Sequence, residues 1–91
     1  MKVEFDASKN VKNQDKHGVS LAFGAEVLAD ANRLELLDVR VDYAEERFIA
    51  YGMVKGRVWV CVYTRRADVY RLISVRKANE RETRRYQDSF R

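Results

Sequence analysis

Arg76 and Lys77 stand where an alternating run, residues 69–76, gives way to a helical period in which Arg81, Arg84 and Arg85 crowd successive turns. A strand that delivers two cations to the mouth of a sheet, beside tyrosine and serine, suits a polyanion. Guanidinium groups grip phosphate oxygens and lysine adds a compact point charge. A second cationic set lies near the N-terminus: Lys9, Asn13 and Lys16 recur at i, i+4 and i+7 and share one face of a helix. His17 follows Lys16 directly. The plain alternatives are a solvated stripe for the lysines and, for His17, contact with free carbonyls and the dipole at a helix end.

The bulk composition allows such a binder and excludes other classes. Ninety-one residues, 46% hydrophobic and 35% charged, make one globular domain over 1–91 with a single modest core. Net charge is +4 from 18 basic and 14 acidic groups, with a pI near 9.4. Its distribution says more than its sum. Residues 76–91 hold six Arg or Lys against three acids, whereas Glu26, Asp30, Glu35, Asp38, Asp42, Glu45 and Glu46 face two arginines within residues 26–46. A dipolar surface of this kind could bind a nucleic-acid backbone on one side and a basic partner on the other. One cysteine, Cys61, excludes an internal disulfide framework, and one histidine excludes a familiar His/Cys zinc spacing. No metal or other cofactor is expected. No apolar run approaches the roughly 20 residues of a membrane span and no signal-peptide pattern follows Met1, so a reducing cytoplasm is expected.

The elements that must position these groups read as α+β. Lys2–Phe5 alternates as a short strand. Asp6 caps a helix over Ala7–His17 that Gly18 closes, and Ser20 caps another over Leu21–Ala29, with Leu21, Ala25 and Leu28 along one side. Asp30–Asn32 breaks the pattern. Leu34, Leu36 and Leu37 support a short strand, and the acidic stretch to Glu46 reads as a loop. Arg47–Val54, Arg57–Arg65 and Val69–Arg76 form a three-stranded meander, turned at Lys55-Gly56 and Ala67-Asp68, and Asn79–Phe90 is a final helix.

Pairing across Lys55-Gly56 sets Val54 opposite Arg57. Ile49, Tyr51, Met53, Val58, Val60 and Val62 then share one face, joined by Ile73 and Val75, and this face is expected to meet the helices. The other face carries Phe48, Ala50, Gly52, Trp59, Cys61, Tyr63, Arg65, Tyr70, Leu72, Ser74 and Arg76, which suits a shallow open trough. Its rings could stack on unpaired bases and its arginines could hold phosphates, so single-stranded RNA fits better than a duplex. The alternative is that the last helix folds back over it.

Phe5-Asp6 with Lys9, Asn13 and Lys16-His17-Gly18-Val19 forms an opening motif, and Glu45-Glu46-Arg47-Phe48-Ile49-Ala50 with Gly52 a central one. Val62-Tyr63-Thr64, Arg65-Arg66, Arg71, Ile73-Ser74, Arg76-Lys77-Ala78, Glu82 and Tyr86 follow. In these residues, over nearly its whole length, the chain resembles the BrnT family of bacterial type II toxins, which are similar in fold to RelE-type ribonuclease toxins. Leu21, Leu28, Ala31 and Val75 depart from the family's usual residues at packing or loop positions.

The resemblance implies a RelE-like antiparallel sheet with two N-terminal helices on one face and a C-terminal helix. It implies an endoribonuclease that inhibits translation without a metal. It also implies a BrnA-like ribbon-helix-helix antitoxin, expected in a heterotetramer, through which alone the toxin reaches operator DNA. By analogy with RelE-type sites, Arg65 and Arg76 would clamp phosphate from one sheet face. Lys77 would be a second cation or a general base, and Tyr86 would support proton transfer. His17 joins the catalytic candidates; Lys9, Lys16, Trp59, Tyr63 and Arg81 are the candidates for RNA contact. Each also has an ordinary structural reading, and a non-catalytic nucleic-acid- or protein-binding co-repressor remains the alternative for the whole chain.

Overall fold

Asp6 ends the first strand and begins the first helix. In the computed structural model, which describes residues 1–39 and 45–90, β1 (Lys2–Glu4) leads into α1 (Ala7–His17). Asp42, within the expected acidic loop, lies outside the described residues. The Asp6 carboxylate accepts the Ser8 N–H at 2.8 Å, an N-cap bond that satisfies an otherwise orphaned donor. Gly18 closes the helix at φ 75°, a left-handed conformation that glycine adopts without penalty. Ser20 caps a tight 3-10 turn (Leu21–Phe23) that runs into α2 (Gly24–Leu28), so the second predicted helix is present but starts overwound.

Then come β2 (Leu34–Leu37), β3 (Phe48–Val54), β4 (Arg57–Arg66), β5 (Val69–Lys77) and α3 (Glu80–Asp88). Asn79 and Glu82 begin α3 with a reciprocal capping box. The sheet order is β1-β5-β4-β3-β2, antiparallel except for β1, which runs parallel to β5. Val54 pairs with Arg57, as expected, across a turn in which Lys55 and Gly56 both have positive φ. The expected α+β class is observed, and the arrangement is consistent with a RelE-like fold.

The expected assignment of sheet faces is inverted. Leu21, Val27 and Leu28 pack on Ala50, Trp59, Cys61, Tyr63, Leu72 and Val75 in one buried cluster. The face read as an open trough is therefore the one that the N-terminal helices cover. Its small residues admit the helix: a Cβ on Gly52 would stand 2.3 Å from the Val27 carbonyl oxygen. The opposite face is shared. Tyr51, Val58 and Val60 pack with Ala78 and Tyr86 under α3, flanked by Leu34, Leu36, Ile49 and Met53.

A β-bulge accounts for a second correction. Val62 pairs with Ser74, but Tyr63 pairs with Leu72, leaving Ile73 as an extra residue on β5. The bulge switches the strand's parity. Leu72 and Val75, three apart, both turn toward α2, and Ile73 no longer shares a face with Val75. It also separates the two proposed clamps. Arg65 pairs with Tyr70 on the face of Tyr63, whereas Arg76 pairs with Val60 on the face of α3.

Helix α1 is docked differently from α2. The only residue it buries is Asn13, while Val11 stays 56% exposed. With so little apolar surface to bury, its seating depends on amide hydrogen bonds. Asn10 Oδ1 accepts the Leu21 N–H at 2.7 Å and the Ser20 hydroxyl at 3.1 Å.

Candidate functional site

Strand β1 pairs with β5 only across Val69–Arg71. Farther along, the outer edge of β5 requires another partner, and Asn13 supplies it. Its Oδ1 accepts the Val75 N–H at 3.0 Å, while its Nδ2 donates to the Val75 carbonyl at 2.9 Å and to the Val19 carbonyl at 3.0 Å. This contact sets α1 along the sheet edge and opens a cleft of about 410 Å³ between them. Lys9, Lys12, Lys16 and His17 line it from α1, Arg47 enters from the residue before β3, and Ile73 and Ser74 form part of its wall. Among the described residues, no carboxylate lines it. The Arg47 carbonyl accepts the Asp38 N–H at 2.7 Å, which ties down the entry to β3.

Charge in the cleft acts on its histidine. Partial burial lowers the His17 pKa, and the positive charges of Lys16 and Arg76 lower it further. Near neutral pH the imidazole is therefore in its neutral form, able to accept a proton. The influence of Arg76 brings the two cationic sets of the sequence, near residues 9–17 and 76–77, into one electrostatic neighbourhood. Arg76 is held by a forked ion pair to Glu82, at 2.8 Å for each bond. Glu82 also accepts the Asn79 N–H, so one carboxylate serves both the arginine and the helix cap.

The other expected site residues lie apart. Arg65 is exposed, its guanidinium carbon 4.9 Å from the centroid of the Tyr70 ring. Trp59 is in the core, edge-on to Phe23 at 4.6 Å. Tyr63 is buried against Phe48 and Tyr70 and donates its hydroxyl to Glu35. Tyr86, the buried residue of α3, donates to Asp30; burial, then that bond, push its pKa up to about 12. None of these three rings offers an open platform for a base, and the Tyr86 hydroxyl is already committed. Lys77 and Arg81 are exposed at the end of β5 and on α3. Glu46 is exposed as well. Burial drives the Cys61 thiol up to about 12, far from a reactive thiolate.

The cleft thus gathers Lys9, Lys16 and His17 from the expected set and adds Lys12, Arg47 and Ser74. Lys12 was legible, since it follows Lys9 by three positions and precedes Lys16 by four. Arg47 and Ser74 carried no such signal, because a strand and its bulge bring them there. Among the described residues, no three His, Cys, Asp or Glu side chains gather as a metal site would require.

A family model described as ribonuclease toxin, BrnT, of type II toxin-antitoxin system matches residues 5–82. The chain belongs to the BrnT family. The match includes every residue lining the cleft and stops short of Tyr86. BrnT proteins are ribonuclease toxins, and their type II class implies an antitoxin partner. No curated protein gives a significant match. Among the described residues, no helix is long and apolar enough to cross a membrane.

Proposed function

We propose that this BrnT-family chain is a metal-independent endoribonuclease of the cytoplasm that cuts single-stranded RNA in the cleft between α1 and β5, and so inhibits translation. A BrnA-like ribbon-helix-helix antitoxin neutralises it in a heterotetramer and carries the pair to operator DNA. One observation carries the catalytic reading: three lysines, an arginine and the protein's one histidine line a single cleft, with no carboxylate among its described lining residues.

RNA supplies its own nucleophile. His17 takes the proton from the 2′-hydroxyl as its oxygen attacks phosphorus, the bond to the 5′-oxygen breaks, and that oxygen takes a proton from a flanking ammonium group or from water. A 2′,3′-cyclic phosphate and a 5′-hydroxyl end result. Lys9, Lys12, Lys16 and Arg47 stabilise charge that develops on the phosphoryl oxygens, and Ser74 donates to one of them. Arg76 adds field at His17 while braced by Glu82. Lys77 and Arg81 extend the positive surface for flanking nucleotides. Trp59, Tyr63 and Tyr86 hold the scaffold, and Arg65 lies outside the cleft.

The test is cleavage of single-stranded RNA by purified chain in EDTA, with ends mapped. Lys16→Ala is expected to lower the rate about tenfold with folding intact. Full activity in a Lys9→Ala/Lys16→Ala double variant would remove the cleft from the reaction. Salt-sensitive binding without scission would instead support a co-repressor.

A further inference from the structure

We propose that Asn13 is a positioning residue of the cleft: its carboxamide replaces the missing strand beside Val75 and holds the bulged Ile73-Ser74 segment facing His17 and the lysines of α1. This inference deepens the catalytic reading above and rests on it.

The geometry is specific. β5 loses its outer neighbour after the pairing of Glu4 with Arg71, and Ile73 has no partner on β4. A bulged strand with an open edge is poorly constrained. One side chain meets both edge groups of Val75 and also reaches the Val19 carbonyl just beyond the helix. That job needs a donor and an acceptor on a short stem. Asp offers only acceptors, Ser has a single oxygen, and Gln is one methylene longer. Lys9 and Lys16, four residues before and three after Asn13, flank it on the helix surface. Turning Asn13 inward therefore turns both lysines toward the rim of the cleft. With Val11 exposed, no apolar stripe would restore that rotation.

The protein has one histidine, so its imidazole gives one titrating signal in an NMR experiment. Among the described residues, the charged groups that share its cleft or act on it are Lys9, Lys12 and Lys16 on its own helix, Arg47, and Arg76 with its partner Glu82. Asn13→Ala and Asn13→Gln alter none of these charges. A change in the His17 midpoint in either variant therefore reports the seating of α1.

In Asn13→Ala the midpoint is expected to rise toward the ordinary imidazole range as water enters. The Val75 amide should exchange rapidly, and cleavage per folded molecule should fall about tenfold. Asn13→Gln, which keeps the amide, should recover part of both. A lower melting temperature with an unchanged His17 midpoint and an unchanged rate per folded molecule would overturn the proposal and leave Asn13 a purely structural residue. If the alanine variant does not fold, the glutamine variant decides: fast exchange at Val75 with wild-type midpoint and rate would refute the role. A wild-type chain that cuts no RNA would overturn the catalytic consequence and the reading beneath it. The midpoint and exchange shifts would then still support the seating.

Discussion

The two faces of the sheet divide the labour of this small protein. On one, Trp59, Cys61, Tyr63, Leu72 and Val75 meet Leu21, Val27 and Leu28 in a cluster from which water is excluded. On the other, α3 covers Tyr51, Val58 and Val60, while the end near Ser74 and Arg47 opens into a cleft walled by the lysines of α1. Trp59 and Tyr63 are on the first face, and the cations of the cleft are on the second. A strongly packed face can hold its edge strands in register while the open end of the opposite side, beyond the smaller cluster under α3, keeps charged groups close together. Like charges gathered in that way repel, and the packing of the first face offsets the cost.

Substitutions on each side should separate the two roles. The largest effect belongs to Trp59→Ala, expected to lower stability by about 3–5 kcal/mol in urea unfolding. RNA affinity per folded molecule should survive. Lost affinity with intact stability would mean that the aromatic face, not the cleft, meets RNA. Gly52→Ala should follow at about 1–3 kcal/mol, since the clash falls on a helix carbonyl that cannot swing aside. A melting temperature equal to wild type would contradict the close seating of α2.

On the wet side, Lys16→Ala should slow cleavage about tenfold, or ~1.4 kcal/mol in activation free energy. It should also flatten the salt dependence of RNA binding by a slope of about 1. The pH profile gives a subtler reading. The pKa of His17 is lowered in the folded chain, so a proton-accepting imidazole should hold activity level down to a pH below its ordinary value near 6.5 and lose it on further acidification. The same shift implies a stability contribution present above the unfolded value and lost as pH falls through the folded one. A rate that declines already above pH 6.5 would exclude His17 as the base. Arg65→Ala should do least: unchanged cleavage and a stability change within about 0.5 kcal/mol. A tenfold loss there would reinstate the clamp on the first face.

Much of this is legible in the sequence. Asp6, Gly18, Ser20 and Lys55-Gly56 mark local conformations through their own side chains or torsions, and each stands where the chain turns. Alternation correctly grouped Trp59 with Cys61 and Tyr63. It did not reveal which group faces the helices, because both faces are apolar enough to be covered. Small residues held the clue: Ala50, Gly52 and Cys61 make room for a helix, while the bulkier opposite face meets α3 at one end. The bulge at Ile73 left no mark, since residues 69–77 alternate plausibly in either parity. Asn13 shares its spacing with Lys9 and Lys16, and an amide facing inward produces no hydrophobic period to reveal it.

The sparse apolar seating of α1 sets how the protein breathes. Most of what secures this helix is polar, so its detachment would uncover little hydrocarbon and carry small heat-capacity and denaturant signatures. The cationic lip can therefore lift as a sub-global fluctuation while the aromatic core stays shut. Hydrogen exchange along α1 should respond only weakly to urea, in contrast to the amides of β4.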